Sequence, residues 1–119
     1  MEVRTRKVGP AFVIDVKGQI DLSSSSRMRT AVLNAIKTKG TSRVAVNLTD
    51  VGYIDSSGIA TLVEGLQLAR AQNCHFVIFG LQQAPREVLE LARLDKVFEI
   101  HVDESGALSG RTESSPNSA

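Results

Sequence analysis

The feature that most constrains the fold is a regular alternation of strand-like and helix-like segments along the chain. Short apolar runs typical of strands recur near residues 2–7, 11–17, 43–48, 75–80 and 96–102. After the first two, the runs are separated by segments whose apolar residues recur every three or four positions, the spacing of an amphipathic helix. The order β-β-α-β-α-β-α-β favours right-handed crossovers between parallel strands. The sequence therefore predicts a single α/β domain with a mixed, mostly parallel sheet and an N-terminal antiparallel hairpin.

The hairpin and the first helix have recognisable boundaries. Gly9-Pro10 separates residues 1–7 from residues 11–17 and is typical turn chemistry. A run of serines at 23–26 precedes the first helical pattern. Because a serine hydroxyl can accept a hydrogen bond from a free N–H of a first helical turn, we expect the helix to start in this run. That helix should end near Gly40, since glycine tolerates the positive φ common just after a helix.

Composition and charge exclude several classes of protein. The chain has 119 residues, with 14 Lys and Arg against 13 Asp and Glu, a formal charge of +1. Proteins that bind nucleic acid usually carry a clear basic excess, so we expect no direct nucleic-acid binding. No apolar stretch reaches the roughly 18 residues of a bilayer crossing, so we expect no membrane span.

The lone cysteine and the two ends of the chain bear on compartment and domain limits. Cys74 cannot form an internal disulfide, and no apolar run follows the N-terminal charges, so we expect a cytoplasmic protein with a buried Cys74. From Ser105 the chain reads SGALSGRTESSPNSA, in which five of fifteen residues are serine. Such a composition buries little apolar surface. We expect a domain at residues 1–104 and a disordered tail at residues 105–119.

The sequence Asp55-Ser56-Ser57-Gly58 lies where a strand pattern gives way to a helix pattern. In open α/β sheets, functional sites form in loops beyond the carboxyl ends of strands. The free N–H groups and the dipole of the following helix favour a bound anion, and Gly58 keeps side-chain bulk away from the backbone. Aspartate and serine are also preferred helix caps. Helix capping and a hydroxyl that accepts a phosphate therefore both remain open for this segment.

Catalytic motifs do not fit the chain. A nucleophile elbow has the pattern G-x-S-x-G, and Gly52 is too far from either serine. His75 and His101 lie in apolar strand patterns, where a structural role is expected. The chain also lacks a phosphate-binding loop, a dinucleotide fingerprint and metal-ligand spacing. We expect no catalytic residue, cofactor or metal; a hydrolase or receiver-like phosphoprotein using Asp55 or Ser56 is the remaining enzymatic hypothesis.

Residues 46–69, VNLTDVGYIDSSGIATLVEGLQLA, resemble the STAS domain of bacterial anti-sigma-factor antagonists, which act by partner switching. The family pattern is an apolar strand, then D-x-x-x-(I/M)-D-S-(S/T)-G, then an apolar helix. Upstream, KGQID is similar to the family's G-E-(I/L)-D, with Gln19 in place of glutamate. Downstream, RLDKVFEI is similar to the family's ending, with Arg93 where glycine is common. The resemblance covers about residues 2–102 and implies a single STAS-like domain.

The resemblance implies a binding protein rather than an enzyme. In the family, the unphosphorylated protein binds an anti-sigma factor that is also a serine kinase, which frees the sigma factor and so regulates transcription. Phosphorylation of the first hydroxyl residue after the aspartate, here Ser56, releases the partner, and a serine phosphatase resets the switch. Asp55, Ser57 and Gly58 would then form the phosphosite loop. The implied partner contacts are Asp21, Ser56, Ser57 and Ile59.

A second hypothesis keeps the STAS domain but gives it another task. The chain would be a scaffold or an accessory subunit of a stressosome-like or lipid-transport complex, independent of Ser56 phosphorylation. This hypothesis predicts a stable complex that ignores the phosphate. The intact Asp-Ser-Ser-Gly sequence favours the switch.

Overall fold

A computed structural model describes residues 1–109 of the chain and confirms the predicted order of elements, with one further helix at the end. The elements are β1 (Glu2–Val8), β2 (Ala11–Lys17), α1 (Ser25–Lys37), β3 (Arg43–Asp50), α2 (Ser56–Ala71), β4 (His75–Phe79), α3 (Gln83–Leu91), β5 (Glu99–His101) and α4 (Glu104–Leu108).

The five strands form one sheet in the order β1-β2-β3-β4-β5. β1 pairs antiparallel with β2, and each later pair is parallel. The prediction of a mixed, mostly parallel sheet that starts with an antiparallel hairpin is therefore confirmed. Because strand order follows chain order, the loops after β2 and β3 leave the same edge of the sheet as neighbours.

The two faces of the sheet are covered unequally. Successive residues of a strand point to opposite faces. Helices α1 and α2 pack on one face, where large aliphatic side chains are fully buried, among them Ile14, Val44, Val46, Ile78, Met28, Val32 and Leu62. The opposite face carries a smaller apolar cluster of Val13, Ala45, Val77, Phe79 and Ala107. Burial on both faces explains why the central strands are almost continuously apolar.

Helix α4 corrects the predicted C-terminal boundary. Residues 105–108, expected in a disordered tail, continue a helix whose Ala107 is fully buried on the second face of the sheet. Arg43 Nη1 donates a hydrogen bond to the Ala107 carbonyl over 3.1 Å, and Arg6 Nη2 lies 2.8 Å from Glu104 Oε1. The composition gave no sign of this helix because its only fully buried side chain is one alanine. The rest of the predicted tail, residues 110–119, lies outside the described residues.

A polar network joins α4 to the first two strands. The Arg6 guanidinium contacts both Glu104 and Asp15, with Arg6 Nε 2.6 Å from Asp15 Oδ2. Asn47 Nδ2 donates a further bond to Asp15 Oδ1 over 2.9 Å. Arg6 first, and then Asn47, lower the pKa of Asp15. Asp15 therefore serves as a structural acceptor on this face.

The cysteine and the two histidines have different surroundings in the fold. Cys74 is buried, as predicted, and desolvation raises the pKa of its thiol. His101 Nε2 lies 2.7 Å from Glu99 Oε2, which fits a structural role, whereas His75 is exposed at the start of β4.

Among residues 1–109, no helix combines the length and the apolar character needed to cross a membrane. The same residues contain no cluster of His, Cys, Asp and Glu arranged to hold a metal ion.

Candidate functional site

The loops after β2 and β3 are joined side by side at the carboxyl edge of the sheet. The backbone N–H of Ile20 donates to the Tyr53 carbonyl, and the N–H of Asp55 donates to the Ile20 carbonyl, each over 3.0 Å. Ile20 and Ile54 form an isolated parallel bridge. These contacts bring Asp21 and Asp55 to the same edge, where open α/β sheets place their functional loops.

The second of these loops ends in a tightly capped turn, residues 55–58, which we call the second turn. Helix α2 begins at Ser56, and Asp55 is its N-cap residue in an extended conformation. Asp55 Oδ1 accepts hydrogen bonds from the N–H of Ser57 over 2.9 Å and from the N–H of Gly58 over 3.3 Å. It also accepts one from the Ser57 hydroxyl over 2.6 Å. The carboxylate, rather than either serine, therefore caps the helix.

Ser56 differs from both of its neighbours in this turn. It is the first residue of α2 and its side chain is exposed. Among residues 1–109, the Ser56 hydroxyl has no hydrogen-bond partner, whereas the Ser57 hydroxyl is held by Asp55. The two interpretations that the sequence left open therefore fall on different residues. Capping belongs to Asp55, and the exposed hydroxyl without a partner among residues 1–109 is that of Ser56.

Residues 21–24, which we call the first turn, repeat the same hydrogen-bonding pattern. Asp21 Oδ1 accepts bonds from the N–H of Ser23 over 3.1 Å, from the Ser23 hydroxyl over 2.8 Å and from the N–H of Ser24 over 3.2 Å. Ser24 precedes α1 as its N-cap residue but makes no side-chain capping bond. The prediction that the serine run at 23–26 starts a helix is confirmed, since α1 begins at Ser25, but Asp21 rather than a serine provides the side-chain acceptor for this turn.

The two carboxylates are ionised and close enough to influence each other. The hydrogen bond from the Ser57 hydroxyl lowers the pKa of Asp55, and the charge of Asp21 acts in the opposite direction. The hydroxyls of Ser23 and Ser24 lower the pKa of Asp21. A carboxylate that accepts several hydrogen bonds is stabilised in its charged form. This edge of the sheet therefore presents two neighbouring negative charges at neutral pH.

Gly58 is needed for packing behind the second turn. A Cβ atom at this position would lie 2.6 Å from Ile20 Cγ2 and 2.6 Å from Ile54 Cγ1. Ile20 and Ile54 are almost completely buried. The expected absence of bulk at Gly58 is therefore explained by the two isoleucines of the joined loops, on which the start of α2 rests directly.

The structure separates the predicted partner contacts by exposure. Ser56 is exposed, and Asp21 and Ser57 are partly exposed. Ile59 is only 9% exposed and packs in the main core. Ile59 therefore offers almost no surface to a partner, and we remove it from the expected contacts.

Two exposed apolar residues beside the site were missed by the sequence reasoning. Leu22 is 81% exposed and Tyr53 is 47% exposed. Leu22 belongs to the first turn, and the carbonyl of Tyr53 bonds to Ile20. A large apolar side chain inside a predicted loop, outside any strand or helix periodicity, was the available signal.

Comparison with known proteins gives a consistent result. Residues 2–107 match the family model of the STAS domain. The anti-sigma-B factor antagonist of Listeria monocytogenes is 29% identical over 87 residues, which cover 73% of this chain and 75% of that protein. The crystal structure of an anti-sigma factor antagonist from Mycobacterium paratuberculosis is similar with a TM-score of 0.82 at 19% identity, covering 91% of each chain. The anti-sigma factor antagonist SpoIIAA in its unphosphorylated form gives a TM-score of 0.76 at 17% identity, covering 88% of this chain and 92% of that one. The two structural similarities show a shared fold.

Proposed function

The chain belongs to the STAS-domain family, and from that membership we propose that it is an anti-sigma factor antagonist controlled by phosphorylation of Ser56. In its unphosphorylated form it binds an anti-sigma factor that is also a serine kinase, and the sigma factor is freed for transcription. Phosphorylation of Ser56 by that kinase releases the complex, and a serine phosphatase restores the binding form. Relatives named as anti-sigma factor antagonists support this proposal.

The observation that carries the proposal is the different state of the two hydroxyls in the second turn. A kinase needs a hydroxyl that can enter its active site, and Ser56 is exposed with no hydrogen bond to give up. Phosphorylation of Ser57 would break its 2.6 Å bond to the Asp55 carboxylate. Asp55 therefore holds the turn in place while leaving Ser56 accessible.

The charge around the site explains how a phosphate would act there. A phosphoserine adds a charge of about −1.5 to −2 at neutral pH. The N-terminus of α2 offers partial positive charge to it. Neither residues 18–26 nor residues 44–69 contain a lysine or arginine. A phosphate on the exposed Ser56 is hydrated, and a partner that covers Ser56 must remove that water. A loss of about 3 kcal/mol in binding would lower the affinity more than a hundredfold.

Phosphorylation of Ser56 would require little change in the fold. Behind the exposed Ser56, the backbone of the second turn is fixed by Asp55 and by Gly58, which packs on Ile20 and Ile54. A phosphate on an exposed hydroxyl leaves these contacts intact. The switch therefore works by changing the contact surface, and the phosphoryl-transfer chemistry belongs to the kinase and the phosphatase.

A quantitative capture experiment tests this function. Wild type, Ser56→Ala, Ser56→Asp and Ser42→Asp serve as baits in native cell extract, and bound proteins are identified by mass spectrometry. Ser42 is an exposed serine just before β3, at the opposite edge of the sheet, and controls for added charge. We expect wild type, Ser56→Ala and Ser42→Asp to capture an ATPase-fold serine kinase, and Ser56→Asp to lose it.

Other outcomes would select the alternatives. If wild type and Ser56→Asp captured one partner equally, control by Ser56 phosphorylation would be contradicted. The STAS scaffold or accessory-subunit hypothesis would then be favoured. An acid-labile phosphate on Asp55, in place of an acid-stable phosphoserine, would favour a receiver-like phosphoprotein.

A further inference from the structure

The first and second turns are equivalent position by position. In each, an aspartate Oδ1 accepts bonds from the N–H and the hydroxyl of the serine two residues later and from the next N–H. The residue directly after the aspartate takes no part in this hydrogen bonding. That residue is Leu22 in the first turn and Ser56 in the second. Leu22 therefore occupies the position in its turn that Ser56 occupies in the other.

The exposure of Leu22 is not explained by the fold. It is 81% exposed and lies outside both apolar clusters of residues 1–109. The turn that carries it is held firmly at both ends, by the Asp21 carboxylate and by the backbone bonds of Ile20. A rigid turn that already holds a large apolar side chain in water can anchor an interface at low cost, because little entropy is lost when it binds.

We propose that Leu22 is the apolar anchor through which the anti-sigma factor recognises this chain. Leu22 would then determine which partner binds, and the phosphorylation state of Ser56 would determine whether it stays bound. This inference rests on the proposed function and deepens it. Tyr53, a second large exposed residue at 47% exposure, lies on the adjoining loop, where its carbonyl accepts a bond from the Ile20 N–H.

The surroundings of Leu22 define the chemistry of the partner surface. Asp21 and Asp55 lie on the two joined loops, and these loops contain no lysine or arginine. A complementary partner has an apolar pocket for Leu22 with basic side chains at its rim, since opposite charges at a rim steer association and fix orientation.

The same arrangement explains why a phosphate at Ser56 is effective. Ser56 and Leu22 occupy equivalent positions in adjoining turns. A partner that covers Leu22 is therefore expected to exclude water from Ser56 as well. A doubly charged phosphate beside a desolvated apolar contact is costly unless it is fully paired.

The chain offers a matched control for this anchor. Leu91 is 86% exposed, as much as Leu22, but it lies at the end of α3, away from the joined loops. If general surface hydrophobicity caused binding, both leucines would contribute. If the anchor is specific, only Leu22 will.

Binding measurements on the captured serine kinase test the anchor. We expect Leu22→Ala to weaken binding by about tenfold to a hundredfold, the effect of losing one buried leucine side chain. Leu91→Ala should stay within about twofold of wild type, and Leu22→Met should retain most of the affinity because methionine adapts to apolar pockets. In phosphorylation assays, Leu22→Ala should raise KM for this protein with little change in kcat. Thermal unfolding of Leu22→Ala should match wild type, because the side chain is exposed.

Each outcome has a defined consequence. If Leu22→Ala binds the kinase as tightly as wild type while Ser56→Asp no longer binds it, the anchor role of Leu22 is contradicted and the proposed function stands. The anchor is equally wrong if Leu91→Ala weakens binding as much as Leu22→Ala. If the wild-type bait captures no serine kinase at all, the proposed function fails and the anchor fails with it.

Discussion

The first turn, residues 21–24, and the second turn, residues 55–58, share one hydrogen-bonding arrangement but project different side chains. Asp21 and Asp55 each bind the serine two residues later, and each turn projects the residue in between. The first turn projects a leucine, and the second projects a serine at the first position of α2. Only the second projected residue therefore lies at a helix N-terminus, where a phosphate is electrostatically favoured. In both turns the aspartate fixes the backbone and the residue after it stays exposed, and on the proposed function it is this exposed residue that meets the partner.

The fourth positions of the two turns differ for a reason of packing. Ser24 has room for a side chain, and its hydroxyl lies 3.0 Å from the Gln19 carbonyl. Gly58, the equivalent residue, faces Ile20 and Ile54 with no room for a Cβ atom. The second turn is therefore the one that is built into the core, and it should be the more sensitive to substitution.

The largest expected effect on stability is that of Gly58→Ala. Its Cβ atom would come within 2.6 Å of two buried isoleucines, and overpacking of this kind costs about 1–3 kcal/mol. Urea denaturation should show this loss in the free energy of unfolding. Ser24→Ala in the first turn is the control and should lose less. A Gly58→Ala variant as stable as wild type would show that α2 shifts readily at its start, and the packing difference between the turns would be wrong.

Removal of the capping carboxylates should have a smaller and unequal effect. Asp55→Ala leaves the N–H groups of Ser57 and Gly58 without their acceptor at the start of α2. Asp21→Ala leaves in place the bonds that the Asp21 carbonyl accepts from the N–H groups of Ser24 and Ser25. We expect both variants to lower the midpoint of thermal unfolding, with the larger decrease for Asp55→Ala, measured by circular dichroism.

Asp55→Asn serves as the control for that experiment, because asparagine is also a good N-cap and should recover most of the loss. Equal effects of Asp21→Ala and Asp55→Ala would contradict the view that the second turn is the one more tightly coupled to the core.

The smallest expected effect is an electrostatic coupling between the turns. Serine hydroxyls lower the pKa of both aspartates below the ordinary value of 3.8, and the charge of Asp21 partly raises that of Asp55. Each carboxylate therefore stabilises the fold above about pH 3.8, and this contribution is lost as the pH falls through the lowered pKa. In an NMR titration, Asp21→Asn should lower the pKa of Asp55 further. An unchanged pKa would show that the two turns are electrostatically independent.

Local patterns were enough to predict most of the architecture. The strand periodicities of β1–β4 and the helical spacing of α1–α3 appear within short windows of sequence, and burial on both faces made β4 continuously apolar. Helix α4 was not predicted, because its packing depends on one buried alanine and on Arg43, a residue far away in the chain. Ile59 was predicted as a partner contact because it lies next to the motif, but the helix turns it into the core.

The sequence by itself determined the elements, the presence of an Asp-Ser-Ser-Gly turn before α2 and the chemistry available there, because these depend on propensities and spacings within a few residues. Only the tertiary structure decided which hydroxyl is free, why Gly58 has no room for a side chain, and that Leu22 and Ser56 occupy equivalent positions in adjoining turns. The first of these facts follows from the bond of Ser57 to Asp55 within the folded second turn, and the other two from the bonds of Ile20 to Tyr53 and Asp55, which join distant parts of the chain. Such contacts form only after β2 and β3 have paired in register, and that pairing joins residues far apart in the chain, such as Asp15 and Asn47.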